Sequence, residues 1–175
     1  MARAKYGLSD DDVVICYVGA LRFLDVNLLI GSLSLLRERG LNVKLLIVGD
    51  GPQLDELRKA LTTCNMLDRV IFLGRVERDE VPAVIQVADI CIAPDTLWSN
   101  AHRPTSRDIG QKLLEYLLYS RPVVSLPTYG LTKLLGKEAK CCVLFALTPR
   151  DFADAVLKLL DLSRDPVFKD MLNTL

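Results

Sequence analysis

The sequence lacks the residue patterns that build metal centres and disulfide frameworks. It contains one histidine, His102, and five cysteines, none of which forms a Cys-x-x-Cys pair. A zinc site is therefore poorly supported. The odd number of cysteines also fits a reducing compartment better than a set of disulfides.

A basic excess and a long apolar run are also missing. Lysine and arginine together number 22, as do aspartate and glutamate, whereas a nucleic-acid surface usually needs surplus positive charge. No stretch approaches the roughly 20 apolar residues of a membrane span. Residues 1–12 are charged and polar, unlike a signal peptide. We therefore expect a cytoplasmic protein with no nucleic-acid partner and no membrane span in this chain.

What the sequence does contain is a regular alternation of apolar runs and helical patterns. Half of its 175 residues are hydrophobic, enough to form the core of a single domain over residues 1–175. The runs are nearly continuous, as in strands buried on both faces of a parallel sheet. They are Val13–Val18, Val43–Val48, residues 70–73, Ile90–Ala93, residues 123–126 and Val143–Phe145. Helical patterns occupy residues 26–39, 52–65, 79–88, 110–120 and 152–162, with a weaker one at 167–175.

This order predicts an α/β fold: a doubly wound, mainly parallel six-stranded Rossmann-like sheet with helices on both faces. Ligands of such sheets bind beyond the carboxyl ends of the strands. One loop there carries Gly49 and Gly51, but Leu54 replaces the third glycine of a dinucleotide fingerprint. Either a tight turn or a ligand-facing loop explains the two glycines.

The helix predicted at residues 110–120 carries the sharpest signal. In projection, Gln111, Lys112 and Glu115 fall together on one side. The leucines at 113, 114, 117 and 118 form a broad apolar face. The polar side can point into the crevice, or Lys112 and Glu115 can form an i, i+3 ion pair on a solvated face.

The chemistry of this helix start suits an anionic ligand. Free backbone N–H groups near Gly110, Gln111 and Lys112 can hold a phosphate, and Lys112 adds positive charge. Glu115, one turn further on, offers two acceptor oxygens suited to the hydroxyls of a ribose.

The loop before this helix is long and polar. It contains Trp98, His102, Arg103 and Arg107. It is either a lid whose arginines reach a diphosphate or a mobile surface loop.

Several motifs, in this order and spacing, resemble the C-terminal domain of family 4 retaining glycosyltransferases, which have the GT-B architecture of two facing Rossmann-like domains. The motifs are Tyr17-Val18-Gly19, Leu45-Leu46-Ile47-Val48-Gly49-Asp50-Gly51-Pro52, Val70-Ile71-Phe72-Leu73-Gly74-Arg75-Val76, Ala88-Asp89-Ile90-Cys91-Ile92-Ala93-Pro94, Lys112-Leu113-Leu114-Glu115-Tyr116 and Arg121-Pro122-Val123-Val124. The resemblance covers residues 13–162. It implies an NDP-sugar donor site in this chain, no metal cofactor, and a missing N-terminal domain that binds the acceptor. It also leaves room for peripheral membrane association of the full enzyme.

The resemblance also implies roles for individual residues. Glu115 corresponds to the ribose-binding glutamate, and Gly19 would sit under the diphosphate. Arg75 and Val76 would lie beside the nucleobase. The helix start would bind the diphosphate through Gly110, Gln111 and Lys112.

Two positions depart from the family pattern. Arg107 stands where the family often has a second glutamate, which contacts the donor sugar. The loop after the first strand is short and has no lysine, so that Arg22 is the candidate phosphate-binding cation there. These departures leave the donor sugar open.

The sequence therefore predicts the donor-binding half of a retaining glycosyltransferase, inactive as an isolated half. The alternative is a degenerate nucleotide-binding or subunit-pairing module without transferase activity. A receiver or flavodoxin-like signalling domain fits less well, because the acidic pair expected after the first strand is replaced by Gly19-Ala20.

Overall fold

The computed structural model describes residues 2–95, 111–127 and 142–174 of the chain. Its centre is a sheet of six strands, all parallel to their neighbours. The strands are β1 (Val13–Val18), β2 (Val43–Val48), β3 (Val70–Gly74), β4 (Ile90–Ala93), β5 (Val123–Ser125) and β6 (Val143–Phe145), in the spatial order β3-β2-β1-β4-β5-β6. The predicted sheet is confirmed.

Six α-helices lie within the described ranges. They are α1 (Val26–Glu38), α2 (Leu54–Thr63), α3 (Val81–Val87), α4 (Gln111–Leu118), α5 (Pro149–Leu162) and α6 (Pro166–Thr174). Right-handed crossovers in this strand order place α1 and α2 on one face and α3 on the other. Helix α5 packs against α1, where Gly31 leaves room for Pro149. In the described part of the chain, no helix combines the length and hydrophobicity that crossing a bilayer requires.

Helix boundaries follow capping chemistry that the apolar pattern alone does not show. Helix α5 begins at Pro149, three residues before the predicted start at Phe152. Thr148 caps it: its side chain accepts a hydrogen bond from the Asp151 amide, and the Asp151 carboxylate accepts one from the Thr148 amide. The apolar pattern starts later because this first turn is polar.

The apolar face of α4 differs from the prediction. Leu113, Tyr116 and Leu117 are buried, whereas Leu114 is 45% exposed and Leu118 is 71% exposed. The single four-leucine face was therefore wrong. Tyr116 belongs to the buried side, and including it rotates that face away from Leu114 and Leu118.

The strand order reverses direction between β1 and β4. To one side of this point the chain proceeds to β2 and β3, and to the other side it proceeds to β5 and β6. The loops that leave β1 and β4 therefore diverge at the carboxyl edge of the sheet and leave a crevice between them. Residues 19–25 follow β1 and Pro94-Asp95 follow β4, and the two segments are joined by a hydrogen bond from the Asp25 amide to the Pro94 carbonyl.

Candidate functional site

The glycines at the carboxyl edge are explained by the close approach of two loops. The Gly19 amide donates to the Val48 carbonyl (2.9 Å), and the Gly49 amide donates to the Gly74 carbonyl (2.7 Å). Gly49 has a φ of 125°, and a Cβ there would collide with the Gly19 carbonyl oxygen. A Cβ on Gly51 would lie 2.5 Å from the Leu21 carbonyl oxygen. Both glycines therefore have a packing role, whatever else they contact.

The loop after β1 is tied down along its length. The Leu21 amide donates to the Asp50 carbonyl, and the Asp25 amide donates to the Pro94 carbonyl. The Gln53 side chain both accepts from the Leu24 amide (2.8 Å) and donates to the Leu24 carbonyl (3.0 Å). Arg22 differs from the rest of this fixed loop. Its side chain is exposed and has no hydrogen bond or ion pair in the described part of the chain.

A buried polar cluster occupies the crevice between β1 and β4. The Lys112 ammonium lies 2.6 Å from a carboxylate oxygen of Asp95, and the Tyr17 hydroxyl donates to the other oxygen at 2.8 Å. The ammonium also donates to the Tyr17 hydroxyl at 3.2 Å and lies 4.3 Å from the centre of its ring. We call Tyr17, Asp95 and Lys112 the crevice triad.

Burial shapes the electrostatics of the crevice triad. The pKa of Tyr17 is raised well above its ordinary value, first by burial and then by the negative charge and hydrogen bond of Asp95. Its hydroxyl therefore keeps its proton and remains a donor. Asp95 gains a neutral hydrogen bond on one oxygen and a cation on the other, which allows a carboxylate to stay buried.

Lys112 does not form the ion pair with Glu115 that the solvated-face alternative required. It turns inward to Asp95, so that alternative is wrong. Glu115 is half-buried, and its carboxylate has no hydrogen bond or ion pair in the described part of the chain. Gln111, at the start of α4, is exposed.

Gly19 and Tyr116 fix α4 against the end of β1. A Cβ on Gly19 would lie 2.6 Å from the Lys112 ammonium nitrogen, so a side chain there would displace the ammonium from its present position. The Tyr116 hydroxyl accepts from the Val18 amide at 2.8 Å. Burial raises the pKa of Tyr116 well above its usual value. The phenol therefore remains neutral in its buried position.

The remaining predicted site residues are placed as follows. Arg75 is exposed and Val76 is half-buried directly after β3, at the same edge of the sheet but two strands away from β1. Gly110 and Arg107, with the Trp98, His102 and Arg103 of the predicted lid, lie outside the described residues. Within the described ranges, no group of three metal-ligating side chains comes together.

The sequence interpretation missed Tyr17, Asp95 and Tyr116. Asp95 had a usable signal, because a carboxylate two residues beyond a buried strand must lie at the carboxyl edge. Tyr17 and Tyr116 gave none, because an aromatic residue in an apolar run is most often part of the core.

Comparison with known proteins identifies the family of the chain. The family model "Glycosyl transferases group 1" matches residues 12–162. An alpha-D-kanosaminyltransferase of Streptomyces kanamyceticus is 28% identical over 169 residues, which are 96% of this chain and 40% of the relative. A GDP-mannose-dependent alpha-(1-6)-phosphatidylinositol monomannoside mannosyltransferase of Mycobacterium tuberculosis is 35% identical over 92 residues, covering 53% of this chain and 24% of that protein.

Solved structures share the fold at low sequence identity. HepE of Anabaena, determined in complex with UDP-glucose, matches with a TM-score of 0.77 at 18% identity, over 98% of this chain and 45% of that one. WaaG, a glycosyltransferase involved in lipopolysaccharide biosynthesis, also has a TM-score of 0.77 at 18% identity, over 99% and 45%. The chain thus spans less than half the length of these proteins. The resemblance to a C-terminal domain of GT-B type is confirmed, and the chain belongs to the glycosyl transferases group 1 family.

Proposed function

We propose that this chain binds a nucleotide-sugar donor at the carboxyl edge of its sheet, as the donor half of a retaining glycosyltransferase. The observation that carries the proposal is the Lys112 ammonium, which lies against Gly19 at the point where the strand order reverses. An anionic ligand in this crevice would meet a fixed cation beside a backbone that has no side chain in the way.

The relatives support a donor of this class. The mycobacterial relative is named for GDP-mannose, and the Anabaena structure was determined with UDP-glucose. Because these bases and sugars differ, the base and the sugar stay open for this chain. The acceptor site is proposed to lie on a second domain, since the chain covers only 40% of the kanosaminyltransferase.

The groups at this edge fit the parts of such a donor. Glu115 has two acceptor oxygens without a partner in the described ranges, which suit the ribose hydroxyls. Lys112, Gln111 and Gly110 would hold the diphosphate, with Arg22 as a second cation. Gly19 would lie beneath it, Arg75 and Val76 would border the base, and Arg107 would lie towards the sugar.

Catalysis would then rest on positioning and charge. The leaving diphosphate gains negative charge as the glycosidic bond breaks, and fixed cations with helix-end amides stabilise it. We expect no metal requirement, because these groups supply the positive charge themselves. A titration with and without EDTA tests this point.

A calorimetric titration of the chain with UDP, GDP and the corresponding nucleosides tests the site. At least one nucleotide should bind, and Glu115→Ala should weaken nucleotide and nucleoside by at least about tenfold, the loss expected for charge-assisted hydrogen bonds to a ribose. Glu38→Ala, which removes an exposed glutamate at the end of α1, is the matched control. Failure of every nucleotide to bind, or equal affinities for the two variants, would reject the site.

A further inference from the structure

The ammonium of Lys112 has donor capacity left after its contacts within the protein. An ammonium has three N–H donors. One points to Asp95 (2.6 Å) and one to the Tyr17 hydroxyl (3.2 Å). No other hydrogen bond of this nitrogen occurs in the described part of the chain. One donor is therefore available to a ligand.

Burial decreases from the inside of the crevice triad to the outside. Tyr17 is fully buried, the Asp95 side chain is 6% exposed and the Lys112 side chain is 18% exposed. Lys112 is thus the most accessible member of the crevice triad, and Asp95 is largely shielded from solvent. An anion entering the crevice would meet the cation first and the carboxylate behind it.

The backbone around Asp95 keeps this arrangement in place. Asp95 forms an antiparallel bridge with Leu24, and the neighbouring Pro94 carbonyl accepts from the Asp25 amide at 2.8 Å. The carboxylate is therefore anchored to the loop after β1 as well as to β4. A lysine side chain has four rotatable bonds, and holding it at one point requires such a partner.

We propose that Asp95 and Tyr17 are positioning residues that hold the Lys112 ammonium against Gly19, where it contacts a phosphate of the nucleotide ligand. This inference rests on the proposed function, since it concerns the same site. It assigns a role to two residues that need not touch the ligand themselves. Asp95 acts by fixing the cation, although its own charge repels a phosphate.

The test compares nucleotide with nucleoside. UDP and uridine, or GDP and guanosine, are titrated into the wild-type chain and into Asp95→Asn, Tyr17→Phe, Lys112→Met and the double variant Asp95→Asn/Lys112→Met. Lys112→Met should weaken the diphosphate about tenfold, the loss expected for one charge-assisted hydrogen bond. Asp95→Asn should come close to that loss, and Tyr17→Phe should weaken binding about threefold because the carboxylate remains. Nucleoside affinity should stay unchanged in all of them.

The double variant separates positioning from general damage. If Asp95 acts through Lys112, the Asp95 substitution should cost no further affinity once Lys112 is methionine. Asp89→Asn is the matched control. It breaks the ion pair of Asp89 with Arg3, just before β4, and should leave both affinities at the wild-type value. Tyr17→Phe keeps the test decisive if Asp95→Asn does not fold.

The proposal is overturned if Asp95→Asn binds the diphosphate as tightly as the wild type or more tightly, which is the outcome expected if its charge only repels the ligand. It is also overturned if the losses at Asp95 and Lys112 add in full. Both outcomes leave the proposed function intact provided that the wild type binds nucleotide and that Glu115→Ala binds it at least about tenfold more weakly. A wild-type chain that binds no nucleotide rejects the proposed function itself.

Discussion

Strand β4 has an aspartate ion pair at each end, and the two pairs are built differently. Before the strand, Asp89 pairs with Arg3 at 2.7 Å; after it, Asp95 pairs with Lys112 at 2.6 Å. Arg3 also donates to the Val87 and Asp12 carbonyls, and the second oxygen of Asp89 accepts from the Val14 amide. All three nitrogens of Arg3 and both oxygens of Asp89 have partners within the protein, whereas one N–H of Lys112 has no partner among the described residues.

This difference separates a structural contact from a binding group. Arg3 ties the N-terminal segment to the amino edge of the sheet through all three of its nitrogens. The carboxyl edge combines a partly satisfied cation with the carboxylate of Glu115, which has no partner among the described residues. Chemistry is therefore expected where hydrogen-bonding capacity remains.

Cavity size alone would have placed the candidate site at the amino edge of the sheet. A cavity of about 980 Å³ lies at the amino edge, lined by Arg3, Asp89, Arg121 and neighbouring residues. Charges of both signs line it, and Arg3 and Asp89 already satisfy each other. The reversal of strand order opens at the carboxyl edge, where ligands of doubly wound sheets bind, so we assign the site there despite this cavity.

The largest expected effect is on the close loop packing at the carboxyl edge. Gly49→Ala should lower the free energy of unfolding by about 3 kcal/mol, because the new Cβ collides with the Gly19 carbonyl and the backbone φ is positive. Gly40→Ala is the counterpart before β2. Its φ is also positive, but a Cβ there meets nothing within 4 Å, so about 1 kcal/mol is expected. Urea denaturation measures both, and equal losses would show that packing between the loops is unimportant.

Substitution of Asp95 should lower the stability of the fold more than substitution of Asp89. Asp95→Asn should cost about 2–3 kcal/mol of stability, since it leaves a mostly buried ammonium without its counter-ion. Asp89→Asn should cost about 1 kcal/mol, because its side chain is 32% exposed and an amide oxygen can still accept from Val14. A larger loss of stability for Asp89→Asn than for Asp95→Asn would contradict this expectation.

Alkaline pH should lower the free energy of unfolding because of the two buried tyrosines at the carboxyl edge. The pKa values of Tyr17 and Tyr116 are raised in the folded chain, so the folded state keeps two protons that the unfolded chain loses near pH 10. Their contribution is complete below pH 10 and declines above it by about 1.4 kcal/mol per pH unit for each tyrosine.

Stability measured from pH 9 to pH 11 tests this slope. Tyr116→Phe should reduce this slope by the contribution of one proton, about 1.4 kcal/mol per pH unit. Asp89→Asn should leave the slope unchanged. An identical slope in wild type and Tyr116→Phe would mean that burial of this phenol does not govern the alkaline response.

The sequence was sufficient for the sheet, but not for the side-chain contacts at its carboxyl edge. Continuous apolar runs gave all six strands because both faces of a parallel sheet are buried. Helix projection placed Lys112 near the crevice. It could not show that Lys112 turns inward, because its partner Asp95 belongs to another element and pairing across elements leaves no periodic signal. The same limit hid Tyr17 and the rotation of α4 about Tyr116.

The smallest expected effect on stability belongs to the residue expected to matter most for binding. Glu115→Gln preserves the size of a side chain that has no partner in the described part of the chain, so the free energy of unfolding should change by less than about 0.5 kcal/mol. Nucleotide affinity should nevertheless fall, because an amide presents only one acceptor to the ribose. Paired denaturation and titration curves measure both quantities. A large stability change would place Glu115 among the structural contacts with Asp89, and an unchanged pair of curves would remove it from the site.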